Sequence, residues 1–171
     1  EGSTDPLRDI EIINTELIMA DLEMIDRRID KAQKMAKGGD KRYNHEAELF
    51  TALRDYMNEG NLARTFECSE DDAAMIATSD LLTLRKTIYA ANLGENEVND
   101  PESSRHFTAV RKLAEQEGSQ VLPICAKLEA DIAELDDPDE KAMFMEELGL
   151  QESGLDRLIQ CSYALLGLIS F

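Results

Sequence analysis

Between positions 9 and 36 the chain has neither proline nor glycine, and its apolar residues return at three- and four-residue steps: Ile10, Ile13, Leu17, Ala20 and Met24, then Ile25, Ile29, Ala32 and Met35. That spacing lines one face of a helix. A single helix of about 28 residues, about 42 Å long, is expected here. Pro6 and Asp9 suit its first turn, and Lys37-Gly38-Gly39-Asp40 suits its end. A second helical pattern, Ala47, Phe50, Leu53 and Met57, runs to about Asn58 before Gly60. Two helices joined by a Gly-Gly turn should fold back as an antiparallel hairpin. The first is longer than a compact domain of 171 residues needs, so the hairpin tip is expected to project.

Beyond the hairpin, Ser69-Glu70-Asp71-Asp72 supplies an N-cap and an acidic first turn for a short helix through Ile76, and Ser79-Asp80 suits another turn. The pattern changes at Lys86. Thr87-Ile88-Tyr89-Ala90-Ala91 is a short run of strand formers bounded by charge and by Asn92-Leu93-Gly94-Glu95-Asn96, as expected for a strand buried on both faces. Asn99-Asp100-Pro101 leads into a helix with Phe107, Val110, Leu113 and Ala114, closed by Gly118. A second strand follows at 120–125, with Pro123 marking it as an edge. This βαβ order implies a parallel pair with a crossover helix. Three helical stretches complete the chain, at 128–135, at 139–148 behind Asp136-Asp137-Pro138, and from Ser153, whose spacing to Asp156 forms a capping box, through Leu155, Leu158, Ile159, Tyr163 and Leu166. A strand buried on both faces wants two neighbours, so further parallel strands are expected upstream, and an unpaired strand edge offers a route to self-association.

Composition narrows the function classes. Hydrophobic residues make up 43% and charged residues 32%, which is globular, and a net charge of −18 disfavours nonspecific binding of nucleic acid or anionic membrane by the surface as a whole. Three separated cysteines, Cys68, Cys125 and Cys161, fit reduced thiols and show no metal-ligand spacing. With no signal sequence and no long apolar run, the chain reads as soluble and cytoplasmic, with no membrane partner. A start at Glu1 without methionine and a stop at Phe171 after an apolar run suggest a piece of something longer.

Chemistry is concentrated in two turns. The loop after the first strand has the form N-x-x-E, with Asn92 and Glu95 just beyond the carboxyl end of a parallel strand, where open α/β sheets bind ligands. GTP-binding P-loop proteins carry N-K-x-D there, the carboxylate accepting from the donor edge of guanine. Here Glu is one methylene longer and Leu93 replaces the lysine, so Leu93 can pack on a base and offer its backbone to an exocyclic amine, which suits adenine. The alternative is a plain turn. The second strand ends in Cys125-Ala126-Lys127, which can be read as the companion S-A-K turn of the same class, or as a small core residue followed by a solvated helix start.

These residues, together with the segments 5–17, 89–95, 125–135 and 152–159, resemble the YchF/Obg-like ATPase family, also called EngD, translation-associated P-loop NTPases of the Obg-related group. The resemblance spans the whole chain. It implies an α/β fold, the C-terminal part of a Ras-like P-loop NTPase domain with a parallel sheet, carrying an inserted helical coiled-coil hairpin. Residues 1–13 would end the upstream nucleotide-binding segment, 14–82 form the helical insertion and 83–171 the C-terminal half of the nucleotide-binding domain; a TGS domain follows in intact members. It further implies a hydrolase that uses ATP or GTP with Mg²⁺, whose base is held by Asn92, Leu93, Glu95, Cys125, Ala126 and Lys127. The family's G-x-x-x-x-G-K-[ST] loop has no counterpart in the 171 residues, and neither the catalytic residues nor the Mg²⁺ ligands are in this chain. Phosphoryl transfer depends mainly on that clamp and its metal, so the chain by itself is expected to be inactive.

The hairpin tip offers a second surface. Arg27, Arg28, Lys31, Lys34, Lys37, Lys41 and Arg42 face only Asp30 and Asp40 between them, a basic end on an acidic protein suited to the ribosome, RNA or an acidic partner. A solvated tip with cations near a helix C-terminus is the plainer account. The competing function is therefore a non-catalytic interaction module that docks through the hairpin. His45-Glu46 lacks the second histidine of a zinc motif, Asp136-Asp137-Pro138-Asp139 reads as a helix cap, Ser153 as a cap rather than a nucleophile, and Met19, Met24, Met35, Met57, Met143 and Met145 as packing residues.

Overall fold

Asp5 opens the long helix by accepting from the Arg8 amide at 3.2 Å, with Pro6 in the first turn where its missing N–H costs nothing. In the computed structural model, which describes residues 4–40 and 42–168, this helix α1 runs over Pro6–Lys37 and stops at Gly38, with Gly39 at φ +102° carrying the chain round. Helix α2 (Arg42–Asn58) returns against α1. A 3-10 turn (Ala63–Thr65), helix α3 (Glu70–Ala77) and a second 3-10 turn (Leu82–Leu84) follow. Contacts divide the chain between Arg85 and Lys86 into two compact units.

The first unit is cored by Ile18, Ile25 and Ile29 of α1 against Leu49, Phe50, Leu53 and Met57 of α2, closed by Leu62, Ala63, Ile76 and Leu81. The buried stripe of α1 is thus 18, 21, 25, 29 and 32, and its second member is a carboxylate, Asp21, only 2% exposed. Of the expected stripe Ile25, Ile29 and Ala32 are buried, whereas Ile13, Ala20, Met24 and Met35 face outward, because Asp21 occupies a seam position and hides the true period. Among the methionines Met57 is buried, whereas Met19, Met24, Met35 and Met143 are exposed, so their expected packing role fails on the solvent faces of their helices. Asp21 Oδ1 accepts from the Leu82 amide at 2.8 Å, and Oδ2 accepts from the Thr83 amide and hydroxyl, both at 2.7 Å. The Thr83 hydroxyl in turn accepts from the Ala63 amide at 3.1 Å.

The second unit holds β1 (Ile88–Asn92), a 3-10 turn (Pro101–Ser103), α4 (Arg105–Glu117), β2 (Gln120–Ile124), α5 (Ala126–Ala133), α6 (Pro138–Glu147) and α7 (Gly154–Leu166). The strands pair in parallel, from Ile88 opposite Gln120 to Asn92 opposite Ile124. Phe107, Val110 and Ala114 of α4 are buried, and α4 packs against both strands. Ala90 and Asn92 are exposed, so β1 is not buried on both faces: β2 is its one strand partner among the described residues. Helix α7 leaves Leu155 and Leu166 60% and 66% exposed. No described helix is long and apolar enough to cross a membrane.

Candidate functional site

The parallel register sets Asn92 and Ile124 side by side, and the chain beyond each strand end makes one of the two turns. The Leu93 amide donates to the Ile124 carbonyl at 2.8 Å, carrying the ladder past β1. Asn92 Oδ1 accepts from the Ala126 amide at 3.0 Å, so a side chain of the first turn satisfies one of the open N–H groups that begin α5. Gly94 closes the first turn by accepting at its carbonyl from the Glu97 and Val98 amides, both at 3.0 Å. Across the gap, Lys127 Nζ donates to Glu95 Oε1 at 2.6 Å. That hydrogen bond, and next the charge of Glu95, holds the Lys127 ammonium above its ordinary pKa. Both groups are exposed.

The six expected base-site residues separate into two sets. Asn92, Glu95, Ala126 and Lys127 are joined to one another at the exposed rim. Cys125 is buried in a cluster with Val98 and Leu128, and Leu93 packs against that cluster beside Leu148 and Leu150. The thiol of Cys125 and the side chain of Leu93 therefore stabilise the turns from beneath.

Glu129, one turn into α5, escaped sequence reasoning. Its Oε1 accepts from the Gly154 amide at 2.6 Å and its Oε2 from the Leu155 amide at 3.3 Å, placing a carboxylate at the N-terminus of α7. Arg157 Nη2 donates to the Pro123 carbonyl at 2.9 Å. Ser153 caps α7, its hydroxyl accepting from the Asp156 amide at 3.1 Å. Together these contacts fix α7 to β2 and to the helix whose first residues form the second turn. No signal in the sequence pairs Glu129 with Gly154.

At the hairpin the three expected arginines are already engaged. Arg28 Nε donates to Glu46 Oε1 at 2.7 Å while its guanidinium lies 4.5 Å from the centre of the Phe50 ring. Arg27 pairs with Glu23 at 3.7 Å, and Arg42 pairs with Asp40 at 2.7 Å, which holds the Asp40 carboxyl below its usual range. Lys31, Lys34 and Lys37 are exposed with no ion-pair partner among the described residues; Lys41 lies outside them. A cleft of about 520 Å³ beside them is lined by Arg27, Lys31, Tyr43 and Ser79. His45 Nε2 meets Asp72 Oδ1 at 2.6 Å and ties α2 to α3. Among the described residues no three acidic, histidine or cysteine side chains converge as a metal site.

Fold and turns define a class: a parallel βα unit with two hydrogen-bonded turns at adjacent strand ends, preceded along the chain by a helical hairpin unit. No protein-family model matches the chain. It is 43% identical over 170 residues to the ribosome-binding ATPase YchF of Bacillus subtilis and 42% to that of Escherichia coli O157:H7, each alignment covering 99% of this chain and 46% of the relative. The YchF of Buchnera aphidicola from Acyrthosiphon pisum is 31% identical over the same share. The structure of the Schizosaccharomyces pombe YchF GTPase superposes with a TM-score of 0.82 over 97% of this chain and 45% of that one, at 22% identity. Over 99% of its length the chain is thus similar to YchF sequences, and it spans about half the length of the curated relatives it matches.

Proposed function

We propose that the two interlocked turns are the base-binding half of the nucleotide site of a cytoplasmic YchF-type P-loop ATPase, the segment from β1 onward being the C-terminal part of its nucleotide-binding domain and the helical hairpin an insertion. The observation that carries this reading is the Asn92 to Ala126 hydrogen bond at 3.0 Å, which makes one rim out of two turns at the carboxyl ends of neighbouring parallel strands. The relatives' names, ATPase and GTPase, supply the nucleotide. The residues present fit the base; the Mg²⁺ and phosphate partners of such a site are not among them. When bound, the metal would supply charge neutralisation at the phosphates. This chain's own part is to grip and choose the base.

Calorimetric titration of ATP and GTP with Mg²⁺ tests the reading, using this chain and a chain built out to the length of its curated relatives. In the longer chain Asn92→Ala should weaken nucleotide binding by about tenfold, since it removes one polar contact that orders both turns. The 171 residues alone should release no phosphate from ATP above a buffer control. Equal affinity in wild type and variant would sink the proposal.

The hairpin supports a second contact, to the ribosome through RNA phosphate, carried by Lys31, Lys34 and Lys37 as the unpaired cations on the last turns of α1. The curated relatives are named for ribosome binding. Reversing these three to glutamate should reduce ribosome association by about tenfold and flatten its salt dependence. Arg28 is left intact in that test, because its pairing with Glu46 over Phe50 belongs to the fold. Unchanged association would return the hairpin tip to a solvated helix end.

A further inference from the structure

We propose that Lys127 is a positioning residue that sets the base preference of this site by holding the Glu95 carboxylate, so that it cannot serve as the paired acceptor a guanine requires. The inference rests on the base-site reading above and adds a specificity determinant to it. A carboxylate that reads guanine must aim both oxygens at two neighbouring donors, N1–H and the N2 amine. Such charge-assisted hydrogen bonds are strong because the acceptor is a free anion. In this chain Glu95 Oε1 is already 2.6 Å from Lys127 Nζ, and the cation beside it cancels the charge that would make those bonds strong.

Adenine is treated differently by the same geometry. Its corresponding edge carries an acceptor at N1 and a donor amine at C6, so it has no donor pair to satisfy and no need of Glu95. Main chain can meet its amine: the Leu93 and Ala126 amides are already given to the Ile124 carbonyl and to Asn92 Oδ1, so what the first turn offers adenine is the Leu93 carbonyl as acceptor. Glu95 is long enough to reach Lys127 across the gap between the turns, and Lys127 stands on the second residue of α5, which the Asn92 contact fixes in place. The extra methylene of glutamate over aspartate then matters as reach toward the lysine. Loss of the lysine should leave an unpaired carboxylate at the rim and admit guanine.

The experiment compares ATP and GTP, each with Mg²⁺, by calorimetry on the chain built out to the length of its curated relatives. Lys127→Met should tighten GTP relative to ATP by about tenfold. Lys127→Arg, which keeps the cation, should hold the wild-type ratio. In a Glu95→Gln background the effect of Lys127→Met on the ratio should vanish, a coupling that general loss of structure does not produce. Lys127 is exposed, and far-UV circular dichroism checks that each variant remains folded. If both nucleotides bind and Lys127→Met leaves their ratio unchanged, the inference falls and the base-site reading stands. If Lys127→Met shifts the ratio equally in the Glu95→Gln background, the lysine acts on the base directly and the inference is overturned. If neither nucleotide binds any version, the base-site reading falls and takes this inference with it.

Discussion

Asp21→Ala is expected to destabilise the helical unit by about 3 kcal/mol or more, because it leaves three hydrogen-bond donors without an acceptor in or beside a dry core. The carboxylate lies between apolar neighbours on the seam of α1 and is 2% exposed, so water does not reach it. It accepts from two main-chain amides, at Leu82 and Thr83, and from the Thr83 hydroxyl, with no contact longer than 2.8 Å. The amides cannot be mutated away, and removing the acceptor leaves their desolvation uncompensated. Asp21→Asn should recover part of the loss through its remaining carbonyl oxygen, while its amine faces donors. Thr83→Val removes one donor to Asp21 and the acceptor for the Ala63 amide, and should cost about 1–2 kcal/mol. Urea denaturation followed by circular dichroism on the whole chain measures all three. A change below about 0.5 kcal/mol for Asp21→Ala would mean that the network does not hold α1 to the segment leading into β1.

Asp21 also marks where sequence reading stops. The hairpin was legible from apolar spacing and the Gly38-Gly39 turn, and so was the seam of α1 near its tip, Ile25, Ile29 and Ala32, yet the seam nearer its start, Ile18 and Asp21, was not. A search for apolar period passes over a seam position filled by a carboxylate and settles on Ile13, Ala20 and Met24, which are exposed. The strands and their parallel order were readable because strand formers, Gly118 and Pro123 punctuate them. Burial of β1 on both faces was not, since burial depends on neighbours rather than on the strand's own residues. In the candidate site the two turns stand out as motifs after consecutive strands. Which of their side chains face the rim follows only from the packing of Leu93 and Cys125 into the cluster with Val98 and Leu128. The Lys127 to Glu95 contact joins residues far apart in sequence, and only the register of Asn92 opposite Ile124 brings them together.

Gly154→Ala is expected to cost about 2–3 kcal/mol, though its backbone is in no unusual conformation and α7 would otherwise gain from alanine. A Cβ at Gly154 would lie 2.6 Å from Glu129 Oε1 and 3.2 Å from Ile124 Cγ2. The glutamate is the flexible partner, so it yields first and abandons the amides of residues 154 and 155. What is lost is therefore a charged acceptor at a helix N-terminus, whose hydrogen bonds are worth more than neutral ones. Glu129→Ala removes the same bonds by another route. The two substitutions should consequently be far from additive: in the Glu129→Ala background Gly154→Ala should cost little beyond its contact with Ile124. Additive losses in a denaturation double-mutant cycle would show that Glu129 does not hold α7. The same displacement reaches the candidate site, because Glu129 shares the first turns of α5 with Ala126 and Lys127. A loosened Glu129 lets α5 shift against β2, and the Asn92 contact with the Ala126 amide weakens with it. If the two turns grip a base, Gly154→Ala should thus lower nucleotide affinity from a position that touches neither turn.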